Sequence, residues 1–148
     1  MTERTLRTRA IRQAVALAAV LAVTGTGAYA FGQRPEGPTA LKADVSVLRS
    51  QAAETLLLVE EAPGLPPTFT QAHAEQLGRD IADQQQHIAA LHVQSDLLRA
   101  HDAARHAAAR LQEIVAPLAQ GGAATTEDGA TAGMLARSLE TLEETLRR

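Results

Sequence analysis

Cysteine and tryptophan are absent from this chain of 148 residues, and aromatic side chains are nearly absent. Without cysteine there is no disulfide framework, no thiol chemistry and no lipid-modified cysteine anchor. The only aromatic residues are Tyr29, Phe31 and Phe69. A core without large rings must be built from Leu, Ile, Val and Ala, which suit the narrow seams between helices better than a thick α/β interior.

Clusters of basic residues are also missing after the first 34 residues. Residues 1–34 carry a net charge of +4, whereas residues 35–148 carry −7. Nucleic acids and anionic lipid surfaces attract patches of Lys and Arg. The acidic part of the chain is therefore not expected to bind nucleic acid or an anionic lipid surface along its length.

The first thirty residues have the three-part layout of an export signal. Arg4, Arg7, Arg9 and Arg12 precede the uncharged stretch 13–33, which contains small residues at Ala28 and Ala30. Residues 1–30 therefore form either a signal peptide cleaved after Ala30 or a single-pass anchor that crosses the membrane through residues 13–33. The positive-inside rule keeps the Arg-rich end in the cytoplasm. The rest of the chain is predicted to be periplasmic or otherwise extracytoplasmic, soluble after cleavage or anchored to the inner membrane.

Turn-forming residues divide the remainder into a linker and a helical domain. Residues 31–38 contain two Pro and two Gly and are predicted to be the linker, and residues 39–148 the domain. Three helices are predicted, at about 40–61, 69–118 and 130–147, with Thr39 and Thr68 as N-caps. The glycine-rich segment 120–133 is predicted to be a flexible loop.

The middle helix is predicted to be unusually long, because between Thr70 and Ala116 only Gly78 interrupts helix-forming residues. Its apolar pattern slips by three residues near its centre, which moves the seam around the helix. The fold class is therefore predicted to be all-α: an elongated, coiled-coil-like antiparallel assembly of three helices. Helix one is expected to lie along the first half of the long helix, and helix three along the second half.

Five histidines fall on this long helix, and three of them form pairs with aspartate at a spacing of four residues. The pairs are Asp83 with His87, His92 with Asp96, and Asp102 with His106. They are either half-sites for Zn or Cu that a second chain completes, or exposed helix pairs of small energetic value. Histidine beside an acid can also act as a pH sensor. No complete metal site or cofactor site is predicted.

No catalytic arrangement is predicted, because the serines lie within helices and the Gly121-Gly122 run lacks the residues of a phosphate loop. The chain is expected to be a non-enzymatic, extracytoplasmic helical protein of the bacterial cell envelope. Its expected partner is an envelope protein or a second copy of itself. The alternative is a periplasmic metal- or stress-responsive binding protein that uses the His-bearing face.

Overall fold

The computed structural model describes residues 37–148, and the predicted signal or anchor segment lies outside this range. Four α-helices make up the described part: α1 (Pro38–Glu61), α2 (Pro67–Ala90), α3 (Leu98–Ala119) and α4 (Thr126–Thr145). Two 3-10 turns, Ala62–Gly64 and Ser95–Leu97, lie in the first and second connections. Residues 37–148 contain no strand, so the all-α prediction is confirmed for this range.

The four helices form a bundle in which successive helices run in opposite directions. The most extensive packing joins α2 to α3 and α1 to α4, and the α3–α4 side is the least closed. An ion pair between Arg49 and Glu143, 3.2 Å apart, lies at one end of the α1–α4 interface, and Leu56 lies near Gly133 towards the other. These contacts show that α1 and α4 are antiparallel.

Aliphatic residues at helical spacing fill the interior, as the sequence pattern predicted. The stripe predicted for α1 is buried at Leu41, Val45, Leu48, Ala52, Leu58 and Val59, whereas Leu56 is half-buried and Leu57 is exposed. The stripe predicted for the segment that forms α3 is buried throughout, at Ala104, Ala108, Leu111, Val115 and Leu118. The largest fully buried apolar side chains come from all four helices: Leu41, Val45, Leu48, Leu77, Ile81, Ile88, Leu111, Val115 and Leu139. Burial of these residues is the main favourable contribution to folding.

The prediction of one helix over residues 69–118 is wrong, because α2 ends at Ala90 and α3 begins at Leu98. Leu91 and Gln94 have extended backbone angles. The three-residue slip in the apolar pattern therefore marks a reversal of the chain rather than a rotated seam. Two helices of 24 and 22 residues can both pack into a shared four-helix core. In a single long helix, each half would have only one neighbouring helix, and much of its apolar surface would stay exposed.

The predicted pairing of the last helix is also wrong. Helix α4 packs mainly on α1 and only thinly on α3, which contains the second half of the predicted long helix. The reason is the chain reversal: α2 and α3 turn their seams towards each other, and α1 and α4 pack together on the remaining side.

Proline and glycine, rather than threonine, begin the first two long helices. Gly37 precedes Pro38 at the start of α1, and Pro66 precedes Pro67 at the start of α2, with no side-chain cap at either end. The caps predicted at Thr39 and Thr68 are therefore wrong. Proline is suited to the first turn because its fixed φ matches the helix and its missing N–H needs no partner there.

Helix α4 begins earlier than predicted, inside the segment 120–133 that was expected to be a loop. Thr125 is its N-cap: the Thr125 hydroxyl accepts from the Asp128 N–H at 3.1 Å, and the Asp128 carboxylate accepts from the Thr125 N–H at 2.9 Å. This reciprocal capping box satisfies two of the free donors at the helix start. The connection from α3 therefore shrinks to residues 120–125.

Two buried side-chain oxygens in residues 37–148 accept no hydrogen bond, Oε1 of Gln51 and Oε2 of Glu143, and only the second has a charged neighbour, Arg49 at 3.2 Å. The side chain of Gln51 is 8% exposed, and its Oε1 atom accepts no hydrogen bond. Replacing Gln51 with leucine is expected to stabilise the bundle by about 1 kcal/mol, because an unpaired buried carbonyl is removed and apolar contact is added. Urea unfolding of the variant checks this. The exposed Gln86→Leu is the matched control, with an expected change within about 0.5 kcal/mol. A less stable Gln51→Leu would contradict the assignment of Gln51 as an unsatisfied core residue.

None of the helices in residues 37–148 has the length and apolar character needed to cross a membrane. The predicted spanning stretch, residues 13–33, lies outside the described residues.

Candidate functional site: the α3–α4 groove

A groove of about 450 Å³ runs along the least closed side of the bundle, between α3 and α4. We call it the α3–α4 groove. Its deepest lining residues, which are buried or half-buried, are Ala107, Leu135, Leu139 and Leu142. The remaining lining residues are Ala103, His106 and Arg110 on α3, and Thr131, Met134, Ser138, Thr141 and Thr145 on α4.

The α4 wall carries no charged side chain. Its residues Thr131, Met134, Ser138, Thr141 and Thr145 follow one another at alternating spacings of three and four. That spacing places them in one row along the helix, as in the seam of a coiled coil. Met134 is 54% exposed, so the described residues leave about half of its surface uncovered.

The α3 wall follows the same spacing and carries basic groups. Ala103, His106 and Arg110 stand at intervals of three and four residues. Arg110 forms an ion pair with Glu113, which lies one turn along the helix and outside the lining of the groove. Both side chains of this pair are largely exposed, so the pair contributes little to stability.

A second depression, of about 570 Å³, lies between α1 and α4. Two glycines of α4 face α1 here: a methyl group at Gly129 would lie 3.4 Å from Cγ1 of Val59, and one at Gly133 would lie 3.8 Å from Leu56, both ordinary contact distances. The adjoining start of α4 is already capped by its own Thr125 and Asp128.

The five histidines do not lie on one helix, in contrast to the prediction of a single long helix. His73 and His87 lie on α2, His92 lies in the connection, and His101 and His106 lie on α3. His73 contacts Glu54 of α1 through Nε2 at 2.8 Å.

His101 is buried and joins the two halves of the α2–α3 hairpin. Its Nε2 lies 2.7 Å from the carbonyl oxygen of Ile88 in the last turn of α2. Since a carbonyl only accepts, Nε2 must carry the hydrogen. Its Nδ1 lies 3.7 Å from the Asp102 carboxylate. The ring thus binds an end carbonyl of one helix from the first turn of the next.

The break between α2 and α3 places the three Asp–His pairs in three different elements. His92 and Asp96 lie in the connection, so their spacing of four does not place them on one helix face. Asp83 and His87 share α2, and Asp102 and His106 share α3. Within residues 37–148, no three His, Asp or Glu side chains are close enough to hold a metal ion. Completion of these pairs by a second chain stays a prediction.

An acidic group lies where α1 meets α2. Burial raises the pKa of Asp80 above its ordinary value of 3.8, and the neighbouring carboxylates of Glu54 and Asp83 raise it further. A hydrogen bond from Gln76 at 2.9 Å and the charge of Arg79 oppose this shift. The raised pKa means that the ionised form of Asp80 is disfavoured in the folded chain.

Asp80→Asn is expected to be more stable than the wild type at pH 7 and equally stable below pH 3.8. Between pH 3.8 and the raised pKa the folded chain binds more protons than the unfolded chain, so wild-type stability is lost as pH rises through this window. The variant lacks this loss. Thermal unfolding of both chains from pH 3 to pH 7 checks the result, with Asp96→Asn as the control. A wild type that equals or exceeds Asp80→Asn at pH 7 would contradict it.

Neither the α3–α4 groove nor the role of His101 was predicted from the sequence. The groove depends on which helices become neighbours, and that pairing was predicted wrongly. His101 lies three residues past the start of α3 and thirteen past Ile88. These spacings predict a contact between the two residues only when the reversal between α2 and α3 is known.

Comparison of the chain with protein-family models, with curated proteins and with solved structures found no match. Residues 37–148 define the fold class, an antiparallel bundle of four helices.

Proposed function

We propose that this chain is a non-enzymatic, extracytoplasmic helical protein that binds another protein at the cell envelope. The observation that carries the proposal is the α3–α4 groove, an apolar seam with Met134 half-exposed on its wall. Exposed apolar surface in a groove rimmed by polar residues is typical of protein interaction sites.

The order of residues at the N-terminus supports the compartment. Four arginines between Arg4 and Arg12 precede the uncharged stretch 13–33, and an acidic segment follows. This arrangement keeps the basic end in the cytoplasm and exports the acidic part. The helical part would then meet its partner outside the cytoplasm.

Site-specific photo-cross-linking of the full chain in its native host tests this proposal. A photoreactive residue is placed at Ser138 in the groove, at the exposed Ser50 of α1 and at the exposed Leu98 of α3. We expect a discrete protein adduct in the envelope fraction from at least one position, because a bound partner lies within reach of an exposed helix surface. Intact mass reports whether residues 1–30 remain.

Two results would overturn the proposal. One is a native chain found in the cytosol with residues 1–30 attached. The other is the absence of a protein adduct from all three positions in a chain that is exported and folded.

A further inference from the structure

We infer that the α3–α4 groove binds one amphipathic α-helix of a partner protein, with an apolar stripe and with acidic residues along the edge that faces α3. This inference rests on the proposed function and names the surface and the chemistry of the partner.

The geometry of the two walls fits a helix. Both walls repeat at intervals of three and four residues, from Ala103 to Arg110 on α3 and from Thr131 to Thr145 on α4. Side chains at this spacing form the holes that receive knobs of a third helix crossing at about 20°. The α4 wall is about 21 Å long at 1.5 Å per residue, which matches four turns of a bound helix.

The apolar character of the lining identifies the face that the partner presents. Leu135 and Leu139 are buried in the core and Leu142 is half-buried, so the floor of the groove is apolar. Met134 adds an exposed, flexible apolar side chain, of the kind that adapts to a partner surface. An incoming helix must therefore offer aliphatic residues at i, i+3, i+4 and i+7.

The charges identify the edge of that helix. His106 and Arg110 lie on the α3 wall, and the lining contains no Asp or Glu. This contrasts with the net charge of −7 for residues 35–148. Because the ion pair of Arg110 with Glu113 is exposed, a partner carboxylate can replace Glu113 at small cost. Acidic residues facing α3 complement the charge of Arg110 and can accept a hydrogen bond from the His106 ring.

Two other occupants fit less well. Residues 1–34 of the same chain are apolar in part, but their only acidic residue is Glu3 against five Arg, so they offer no acidic edge to complement Arg110. A second copy offers no apolar stripe from its described residues, because its exposed large apolar side chains, Leu57, Leu98 and Met134, lie on three different helices. A helix from a different protein can supply both the apolar stripe and the acidic edge that the groove requires.

Fluorescence anisotropy with two designed peptides tests the inference on the full chain. The acidic probe is a labelled peptide of three heptads, with leucine at the first and fourth positions and glutamate at the fifth and seventh. The control probe has lysine in place of glutamate. We expect the acidic probe to bind at least about tenfold more tightly, and the difference to shrink at high salt.

Matched variants locate the binding surface. Met134→Asp places a carboxylate on the groove wall, whereas Leu57→Asp changes an equally exposed residue on α1, 54% against 51% exposed. We expect Met134→Asp to weaken acidic-probe binding by at least about tenfold and Leu57→Asp to leave it unchanged. The double variant His106→Glu with Arg110→Glu is expected to prefer the lysine probe. Circular dichroism confirms that each variant is folded.

Equal binding of the two probes, or equal effects of Met134→Asp and Leu57→Asp, would overturn the inference. A dimer that forms through this groove and excludes the acidic probe would overturn it as well. The proposed function fails separately, through the cross-linking experiment: adducts from Ser50 or Leu98 together with failure of the probe assay would leave the function standing without this groove.

Discussion

Replacing Gln84 with leucine is expected to destabilise the bundle by about 3 kcal/mol at pH 7. Gln84 and Asp44 are both buried, and the Gln84 amide donates to the Asp44 carboxylate at 2.7 Å. Removing the donor leaves a buried carboxylate without this partner, and the loss of a hydrogen bond to a buried charged group costs about 2–5 kcal/mol. For a domain of this size the melting temperature should fall by about 10–15 °C.

A double-mutant cycle tests whether this cost comes from the pair itself. Asp44→Leu alone should cost about 1–3 kcal/mol, because it leaves the buried Gln84 amide unpaired. The double variant should lie within about 1 kcal/mol of the wild type, since apolar groups replace both partners. Urea unfolding of the four chains gives the coupling free energy. Costs that simply add in the double variant would contradict the direct contact between α1 and α2.

His101→Ala is expected to cost about 2 kcal/mol, the second largest effect. The variant loses the hydrogen bond to the Ile88 carbonyl, worth about 1 kcal/mol, and leaves a cavity where the ring was buried. The cost is limited because the Ile88 carbonyl also accepts from the N–H of Leu91 at 3.1 Å. Thermal and urea unfolding measure the loss.

The matched control for His101 is His106→Ala on the same helix. His106 is exposed, so its replacement should change stability by no more than about 0.5 kcal/mol. Amide hydrogen exchange adds a local readout, since loss of the hydrogen bond should speed exchange in the last turn of α2 first. Equal stabilities for the two variants would show that His101 does not join α2 to α3.

Helical periodicity predicted much of the core correctly. Leu41, Val45, Leu48 and Ala52 repeat at intervals that only one face of a helix can bury, and all four are buried. The same periodicity correctly predicts the buried stripe of α3, from Ala104 to Leu118. In these segments local pattern and global packing agree, because each helix faces the core with one continuous stripe.

The reversal between α2 and α3 was missed because its residues include neither Pro nor Gly. Leu91, His92, Val93 and Gln94 are all compatible with a helix, and no side-chain cap marks either end. The break is favoured by tertiary packing, which outweighs the weak preference of these residues for helix. The slip in the apolar pattern is the sequence signal of this reversal, but the same slip also predicts a rotated seam on an unbroken helix.

The start of α4 was missed for the opposite reason. Gly129 and Gly133 indicate a loop by composition, yet both lie in the helix. A methyl group at either position would meet Val59 or Leu56 at ordinary contact distance, so the packing tolerates glycine without requiring it. The capping box and the packing of α4 on α1 compensate for the helix penalty of glycine, which is about 1 kcal/mol per residue.

An even number of antiparallel helices brings the beginning of α1 and the end of α4 to the same pole of the bundle. The ion pair of Arg49 with Glu143 lies towards that pole, and the exposed connection 120–125 lies at the other. A circularly permuted chain is therefore feasible: a short linker would join Arg148 to Gly37, and new termini would open between Gly122 and Ala123. Such a permutant would keep all four helices and could present the α3–α4 groove from a differently attached scaffold.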